Sequence, residues 1–358
     1  MNSKHAASID RGHDARNLRE DFYKRAAAEK LSPLWVILDT IATNTPRSAC
    51  VPAIWRYADV RPYLTEAAAL ITPEEAERRV MVLENPGITR GNRITQSLYA
   101  GLQIVLPGEI APPHRHTANA LRFIIEGTGA YTSVDGEKTV LHPGDFVVTP
   151  GWTWHDHGNE TSEPVVWMDG LDVHIINLFD ASFREPYPAK TFPQTRREGA
   201  SYVTHGHNMR PVDHQGSGTK NSPIFNYPYS ISREVLHRLS ETSDPDECHG
   251  HKMKFTNPVT GDWAMPTIST CMQLLPAGFA TKPYRSTDGT IFSIIEGHGR
   301  SEIGSEIFAW RAKDTFVVPS WTPVRHFPES ESVVFSFSDR AIQEKLGIWR
   351  EQRGELPS

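Results

Sequence analysis

The sequence predicts an all-β dominated protein made of two small β-barrels or jelly rolls, and three observations lead to this class. The run Ile124-Ile125-Glu126-Gly127 recurs as Ile294-Ile295-Glu296-Gly297, further along by about half the length of the 358-residue chain. Short β-prone runs fill both copies, and turns separate them in a chain with 25 glycines and 27 prolines. A repeat of this length fits two copies of one fold and not a solenoid, whose period is roughly 20–50 residues.

The expected strands form two equivalent sets. Phe146-Val147-Val148 recurs at the same offset as Phe316-Val317-Val318, and Pro150-x-Trp152-Thr153 recurs one position closer, as Pro319-x-Trp321-Thr322. Asp135-Gly136 is typical of a tight hairpin turn. The predicted strands are 102–106, 121–126, 131–134, 146–148 and 165–168 in the first set, and 267–275, 291–296, 315–318 and 332–337 in the second.

Helical spacing of apolar residues appears outside these sets. It predicts helices over 17–30, from Pro73 through Arg79, over 231–241 and over 340–353. The resulting domain division is a helical or extended N-terminal segment (1–95), a metal-binding first barrel (96–185), a linker with a short helix (186–260), a second barrel without the metal residues (261–340) and a C-terminal helix (341–358).

Composition limits the function classes. The net charge of −6 and the pI of about 6.2 argue against nucleic acid as a partner. The mean hydropathy is −0.44, and no apolar run approaches the ~20 residues of a membrane span. The N-terminal residues 1–21 are polar and contain no secretory signal, and three cysteines suit a reducing cytoplasm. We therefore expect a cytoplasmic protein that acts on a small molecule.

Three histidines have the pattern of a metal site. His114 and His116 are two residues apart, so on a strand both side chains point to one face. His155 follows a strand and a Pro-Gly turn, and the chain can return there beside the first pair. Three imidazoles suit Fe, Zn, Mn, Ni or Cu. The second copy has Tyr284, Ser286 and Val324 in these places, which predicts one active centre per chain.

Two further groups of metal-type residues are interpreted differently. His205-Gly206-His207 and Cys248-His249-Gly250-His251 lie in polar connecting sequence without a further block of ligands. We expect them to be loop histidines.

The surroundings of the triad resemble the cupin superfamily. Gly108, then His114-x-His116 and Gly127, match its first motif, and Gly144, Pro150, His155 and Asn159 match its second; Trp152 replaces the usual glycine. Ala120 fills the place where many cupins have a glutamate ligand. A site of three neutral imidazoles leaves the full 2+ charge on the metal and favours an anionic, chelating substrate.

A narrower resemblance covers nearly the whole chain. Asn85-Pro86-Gly87, 98–103, 113–123, Trp167-Met168-Asp169-Gly170-Leu171-Asp172 and Asn257-Pro258-x-Thr260-Gly261 resemble the gentisate 1,2-dioxygenases. The resemblance implies Fe(II) held by His114, His116 and His155, and O2-dependent cleavage of gentisate, between the carboxyl- and hydroxyl-bearing carbons, to maleylpyruvate. It also implies a homotetramer. Salicylate and 1-hydroxy-2-naphthoate dioxygenases share the template, although Tyr99 fits the gentisate enzymes better than the tryptophan-bearing salicylate relative.

Five neighbours are candidate site residues. Arg122, six residues after His116 and on the same strand face if no bulge intervenes, is the expected carboxylate clamp; the alternative is a surface arginine paired with Glu126. Arg78 matches a substrate-contact position of the family or is a solvated helix-end charge. The others, each with a structural alternative, are His157 as proton shuttle or substrate partner, Gln103 as substrate or ligand partner, and Asp169 as the carboxylate that orients a ligand imidazole.

Three functions remain open from the sequence alone. The first is ring cleavage of gentisate, and the second is ring cleavage of another chelator such as salicylate or hydroxynaphthoate. The third is a non-catalytic bicupin that binds or senses a ligand around a structural metal. The intact triad beside Arg122 favours an enzyme.

Overall fold

The computed structural model describes residues 3–89, 91–213 and 220–355, and the chain divides into two units, 1–47 and 48–358. The first unit holds helices α1 (Ser3–Ala28) and α2 (Leu34–Ile41). Trp35 donates a hydrogen bond through Nε1 to Tyr23 Oη at 3.1 Å. The predicted helix 17–30 overlaps α1, which ends two residues earlier, at Ala28, because Lys30 takes a left-handed backbone conformation (φ 60°).

The second unit contains the remaining helices. The helix predicted from Pro73 is only one turn long. Thr72 and Glu75 form its N-terminal capping box, and it ends before Glu77, whose φ is 54°. None of the helices in the described ranges is long and apolar enough to cross a membrane. These helices are α3 (Tyr57–Leu70), α4 (Pro73–Ala76), α5 (Val173–Leu178), α6 (Ala200–His205), α7 (Tyr229–Thr242) and α8 (Arg340–Lys345).

The first barrel consists of two facing sheets, a six-stranded one in the order β12-β8-β5-β10-β3-β2 and a five-stranded one in the order β11-β4-β9-β6-β7. The five strands predicted for this half are present. Val134 pairs with Glu137, so Asp135 and Gly136 form the predicted two-residue hairpin turn, both with positive φ. Together with β1 (Ala53–Trp55), the strands of this part of the chain are β2 (Val80–Val82), β3 (Tyr99–Val105), β4 (Ile110–His116), β5 (Ala120–Glu126), β6 (Ala130–Val134), β7 (Glu137–Val140), β8 (Phe146–Thr149), β9 (His155–Asn159), β10 (Val165–Leu171), β11 (Arg184–Pro186) and β12 (Asn226–Tyr227).

The second barrel repeats this plan with sheets in the orders β1-β19-β16-β21-β14-β13 and β18-β17-β20-β15-β22. The four strands predicted for this half are present, and the prediction of an all-β dominated fold with two barrels is confirmed. The strands are β13 (His251–Lys254), β14 (Ser269–Leu275), β15 (Tyr284–Ser286), β16 (Thr290–Glu296), β17 (His298–Ile303), β18 (Glu306–Arg311), β19 (Thr315–Val318), β20 (Val324–Pro328), β21 (Ser332–Ser338) and β22 (Glu351–Arg353).

The two repeats exchange strands. β1, from the first repeat, pairs with β19 of the second barrel, and β12, from the predicted linker, pairs with β8 of the first. The backbone N–H of Tyr57, after β1, donates to Asp314, and that of Tyr229, after β12, donates to Asp145. The repeat therefore extends beyond the barrels to the strand and helix that precede each one.

The strand register corrects one sequence match. Phe123 pairs with Phe146 in the first barrel, whereas its equivalent Ser293 pairs with Thr315 in the second. Phe146 is thus equivalent to Thr315, and the offset at this strand is one position shorter than the offset between Phe123 and Ser293. The match of Phe146-Val147-Val148 with Phe316-Val317-Val318 is shifted by one position.

The barrels pack through the outer faces of their six-stranded sheets. The rings of Phe123 and Phe335 stack with centroids 4.3 Å apart, and one apolar cluster contains buried residues from both barrels. Fully buried aromatic rings such as these contribute about 1.5–3 kcal/mol each through the apolar area that they remove from water. The second barrel thus supports the first by direct packing.

The predicted C-terminal helix is wrong beyond its first turns. α8 ends at Lys345, Gly347 has a left-handed φ of 71°, and Glu351–Arg353 form β22, which pairs with β15. The charged residues that suggested a helix here form an edge strand instead. The domain boundaries given above stay predictions.

Candidate metal centre

Three histidines converge inside the first barrel. Each offers a nitrogen, and these nitrogens lie within 4.8 Å of one another. The convergence follows from the strand register, because His114 on β4 pairs with His155 on β9 and His116 lies two residues further along β4. Among the described residues, the group contains no carboxylate. The predicted set of neutral ligands is therefore what the fold brings together.

Backbone carbonyls fix the orientation of two of the rings. His116 Nδ1 lies 2.8 Å from the carbonyl oxygen of Ala118, and His155 Nδ1 lies 2.9 Å from that of Thr153. A carbonyl only accepts, so each Nδ1 carries a proton and each Nε2 keeps a lone pair. Nε2 of His155 is buried without a hydrogen-bond partner. Such a buried, unpaired lone pair fits a metal ligand.

Burial and neighbouring arginines keep the three rings neutral. Burial lowers the pKa of His114 to about 2 and that of His116 to about 4, and it lowers the pKa of His155 well below its ordinary value. Arg78 and Arg122 add to the effect on His114 and His116. Metal ligands must be deprotonated, so the centre is ready for a cation at neutral pH.

Arg122 and Asp169 form a buried ion pair beside the triad. Arg122 Nε lies 3.3 Å from Asp169 Oδ1, and Arg122 Nη1 donates to Thr149 Oγ1. Asp169 also accepts from Trp167 Nε1 at 3.1 Å. Burial raises the pKa of Asp169 to about 6, although Arg122 and Arg78 oppose this. In this arrangement Asp169 holds Arg122, whereas the ligand rings are held by the Ala118 and Thr153 carbonyls.

Two details of the sequence argument for Arg122 are wrong. Arg122 is not on the strand of His116: residues 117–119 separate β4 from β5, and the two strands belong to different sheets. It is also no surface arginine, since it is 4% exposed, and Glu126 is bound by Arg61, Tyr57 and Lys313 instead. Arg122 nevertheless influences all three ligand histidines, because the two sheets face each other across the barrel.

Adjacent arginines at the end of α4 have different environments. Arg79 is buried and bonded to Glu109 and to the carbonyl of Ala68, which ties α3 to the barrel. Arg78 is half-buried, and its Nη2 lies 3.0 Å from His114 Nδ1 and 2.9 Å from the carbonyl oxygen of Pro112. It is not a solvated helix-end charge.

His157 and Gln103 lie deeper in the barrel. His157 Nδ1 is 3.0 Å from Thr132 Oγ1, and its Nε2 is buried without a partner. In the second barrel Ser301 and His326 form the same hydroxyl–imidazole pair at 2.8 Å, away from any histidine triad, which favours a structural component for this pair. Gln103 is buried on β3 and faces Trp167 across the ladder.

The sequence argument did not name two neighbours, Thr149 and Tyr99, as site residues. Thr149 reaches Arg122 through the pairing of β5 with β8, which no local pattern indicates. Tyr99 lies next to the Asp169 carboxylate, which together with burial raises its pKa. Gly101 gives it room, because a Cβ there would lie 2.8 Å from Tyr99 Oη. Arg115, between His114 and His116, faces the opposite side of β4, lies between the rings of Trp152 and Trp154, and is not part of the site.

Fold and site together define a bicupin whose described residues contain one three-histidine metal centre, in the first barrel and beside Arg78 and Arg122. A model of the cupin domain matches residues 101–174. The chain is 53% identical over 335 residues to gentisate 1,2-dioxygenase 1 of Aquipseudomonas alcaligenes, a match that covers 94% of this chain and 96% of the relative. It is 33% identical over 344 residues to 1-hydroxy-2-naphthoate 1,2-dioxygenase of Nocardioides sp. (strain KP7), covering 93% and 87%.

Among solved structures, salicylate 1,2-dioxygenase from Pseudoaminobacter salicylatoxidans, determined as an adduct with gentisate, superposes with a TM-score of 0.89 at 32% identity. The superposition covers 95% of this chain and 94% of that one. The chain belongs to the gentisate 1,2-dioxygenase family and is a metal-dependent, ring-cleaving oxidoreductase. The family resemblance stated from the sequence is confirmed.

Proposed function

We propose that the protein uses Fe(II) and O2 to cleave gentisate to maleylpyruvate. Both oxygen atoms of O2 enter the product, as the bond between the carboxyl- and hydroxyl-bearing ring carbons breaks. The observation that carries the proposal is the group of three neutral imidazoles beside Arg78 and Arg122, a positive centre suited to a dianion. The 53% identity to a gentisate enzyme supports the choice of ring.

Iron is the metal that this reaction needs. His114, His116 and His155 would hold it, and bound Fe(II) would supply the redox contact between the aromatic substrate and O2. Imidazole ligands alone do not select iron, because divalent metals such as zinc bind such sites at least as tightly. Iron is inferred from the chemistry of the family.

Arg122 is the proposed clamp for the substrate carboxylate. A guanidinium matches the two oxygens of a carboxylate, and Thr149 and Asp169 hold Arg122 in a fixed position. The role of Asp169 is thus to position Arg122. A water-poor barrel interior strengthens these charge interactions relative to the surface.

Arg78 is proposed to change its hydrogen-bond partner from His114 to the substrate. An arginine only donates hydrogen bonds, so Nδ1 of His114 accepts from Arg78 and the other ring nitrogen carries the proton. If His114 gave either nitrogen to a metal, its Nδ1 would no longer accept from Arg78, and this contact would be lost. The released guanidinium remains held near the centre by the Pro112 carbonyl and can meet an anionic substrate.

His157 and Gln103 are proposed as hydrogen-bond partners of the substrate. Thr132 fixes one nitrogen of His157 and leaves Nε2 unpaired, and burial lowers its pKa well below the ordinary value. A neutral imidazole of this kind can accept a hydrogen bond from a substrate hydroxyl. Gln103 offers an amide from the adjoining sheet.

Salicylate or 1-hydroxy-2-naphthoate is the second candidate substrate class. Relatives with these names match the chain over most of its length, and the salicylate enzyme has nearly the same fold. Both compounds carry a carboxylate and an ortho hydroxyl, the chelating pair that gentisate presents. The proposal of a non-catalytic sensor has no such support.

Assembly and location are further proposals. We infer that the chain forms a homo-oligomer, a tetramer by family resemblance: α2 has no buried residue, and it leaves Leu34, Trp35, Val36 and Ile41 exposed, an apolar surface that a second copy can cover. Cytoplasmic location is inferred from the three free cysteines.

An oxygen-electrode assay tests the proposed reaction. The full-length protein, reconstituted with Fe(II) without air, is given gentisate or salicylate in aerated buffer. We expect O2 uptake with gentisate at a one-to-one stoichiometry, formation of a new absorbing product, and loss of both in His155→Ala. Exposed His237→Ala is the matched control and should retain activity. Turnover of salicylate but not gentisate would select the second candidate, and a folded, iron-loaded protein without O2 uptake would overturn the proposal.

A further inference from the structure

The second barrel, which has no histidine triad, contains a cavity of about 420 Å³. Tyr284, Ser286 and Val324, the residues in the places of the three histidines, line it. It therefore occupies the position in the second barrel that the metal centre occupies in the first. A volume of this size is in the range of small-molecule sites, which run from roughly 300 to 1,000 Å³.

One charged residue distinguishes this cavity from its counterpart. In the first barrel, Val80 on β2 pairs with Gln103 on β3, and in the second, Lys252 on β13 pairs with Gln273 on β14. Lys252 thus stands where the first barrel has Val80. Since side chains alternate along a strand, it shares the cavity-lining face with Gln273.

Lys252 is half-buried and has no ion-pair or hydrogen-bond partner among the residues that the structure describes; its ammonium only approaches the ring of Phe292, at 5.9 Å. Of the four acidic residues that line the cavity, Glu351 is exposed and the other three are already engaged, Asp262 by Lys345 at 3.1 Å. Asp288 accepts from Trp349 and Thr290, and Glu344 accepts from Trp263 and Arg340. A half-buried cation without a partner raises the affinity of the cavity for an anion.

His326 supplies a second donor. Trp310 Nε1, which only donates, gives a hydrogen bond to Ser301 Oγ at 2.8 Å, and Ser301 Oγ lies 2.8 Å from His326 Nδ1. The buried Ser301 hydroxyl hydrogen then has His326 Nδ1 as its acceptor, so the proton of this neutral ring is on Nε2. His326 lines the cavity and has a pKa lowered to about 3 by burial.

A polar group and apolar rings complete the lining. Gln273 is 1% exposed, and its Oε1 is buried without a hydrogen-bond partner, so it is an acceptor for an O–H or N–H. Phe292 and Tyr284 provide aromatic surface around these groups. The combination of two donors, one acceptor and flat apolar walls is typical of a site for a planar acid.

We propose that the second barrel binds a small aromatic carboxylate without a metal, with the carboxylate on Lys252 and His326 and a ring substituent on Gln273. Because no metal is involved, the acid does not need the ortho hydroxyl that chelation requires. It is separate from the proposed reaction, because none of these residues belongs to the first barrel. The segment 248–251, interpreted from the sequence as loop, thus contributes to a cavity: His249 packs against Tyr284 at 4.4 Å and begins the approach to β13.

The test uses 3-fluoro-4-hydroxybenzoate, which has a carboxylate and a para hydroxyl but no ortho donor. Crystals of the full-length, iron-loaded protein are soaked with it, and binding in solution is followed by fluorine NMR. We expect density for the probe between Lys252, Gln273 and His326, and at least tenfold weaker binding at this site in Lys252→Met. Lys252→Glu, which adds repulsion, should abolish it.

Lys254→Met is the matched control. Lys254 lies on the same strand and lines the same cavity, but it is exposed and already donates to the carbonyl oxygen of Gly261 at 3.2 Å, so its loss should change the affinity less than threefold. Gentisate turnover, which reports the first barrel, should stay within twofold of wild type in all three variants. Probe density confined to the first barrel, or equal binding in Lys252→Met and wild type, would overturn the inference whatever the turnover.

Discussion

At the scale of single residues, the centre depends on keeping three imidazoles neutral and oriented. Burial removes their protons at neutral pH, and backbone carbonyls hold two of the Nδ1 protons. The cations beside them, Arg78 and Arg122, are balanced only in part by Asp169, whose pKa burial raises to about 6. The site is thus positive before any metal binds, and a dianionic ligand lowers this positive charge.

Replacing Arg122 by lysine tests the clamp. Lysine keeps the positive charge but loses the planar pair of donors, so one of the contacts to Thr149, Asp169 or substrate is lost. We expect the KM for gentisate to rise about tenfold or more with a smaller change in kcat, because a bidentate contact to the substrate carboxylate is lost in both the ground and transition states. Steady-state O2 uptake at several gentisate concentrations measures both constants.

The control for this variant is Arg238→Lys, on an exposed face of α7 where Arg238 pairs only with Glu234. It should leave both constants unchanged. A KM in Arg122→Lys equal to that of wild type would mean that the carboxylate binds elsewhere, and Arg78, which contacts His114, would then be the next candidate.

At the scale of elements, the start of α8 contains a carboxylate that the fold holds away from water. Asp339 is buried at the N-cap, accepts from Ser97 Oγ at 2.7 Å and from the Gly289 N–H at 3.1 Å, and lies near Asp288. Burial, reinforced by the charge of Asp288, raises its pKa from 3.8 to about 6. The folded chain therefore binds this proton more tightly than the unfolded chain does.

This shift makes stability depend on pH. The contribution of Asp339 is fully present below pH 3.8, where both states are protonated, and is lost as the pH rises through 6. Two pKa units correspond to about 3 kcal/mol. In Asp339→Asn, which stays neutral, we expect the free energy of unfolding to fall less between pH 4 and pH 7, by up to that amount. Denaturant unfolding at a series of pH values measures the difference, and exposed Asp244→Asn is the control. Parallel curves for wild type and Asp339→Asn would contradict the assignment.

The sequence predicted elements well where one local rule applies. Strand alternation placed His114 and His116 on one face, and turn chemistry placed the hairpin at Asp135-Gly136. It failed where non-local pairing decides the outcome. Arg122 was assigned to the strand of His116, although a turn separates the two, and the charged segment after Lys345 pairs with β15 as a strand instead of continuing a helix.

Long-range pairing also explains what the sequence did not reveal. Thr149 reaches Arg122 only because β5 pairs with β8, and Lys252 enters a cavity only because β13, in a segment predicted as linker, joins the second barrel. A contact between strands far apart in the chain cannot be predicted from a local pattern of apolar residues. The regular spacing of the internal repeat indicated the fold. Spacing alone misaligned the strand that begins at Phe146 by one residue, and only the strand register shows the correct match.

At the scale of the whole molecule, the two barrels have the same backbone fold but different side chains in their interiors. Each repeat places its first strand in the barrel of the other, and both barrels pack through one apolar cluster. The arrangement explains how the second barrel can lose the metal ligands and remain intact, because its packing role uses the outer faces of its strands. The inner face is then free to change, as Lys252 illustrates.

If the backbones are equivalent, three substitutions should rebuild a metal centre in the second barrel. Tyr284 pairs with Val324 as His114 pairs with His155, and Ser286 lies two residues after Tyr284 as His116 does after His114. We expect Tyr284→His, Ser286→His and Val324→His together to raise the metal content from one to two ions per chain, measured by elemental analysis after reconstitution. Adding His155→Ala should return the content to one, and the double variant with only Tyr284→His and Ser286→His should bind the second ion at least tenfold more weakly, since it lacks one of three ligands. A folded triple variant that still holds one ion would show that the second barrel has lost the ligand geometry of its backbone as well as its histidines.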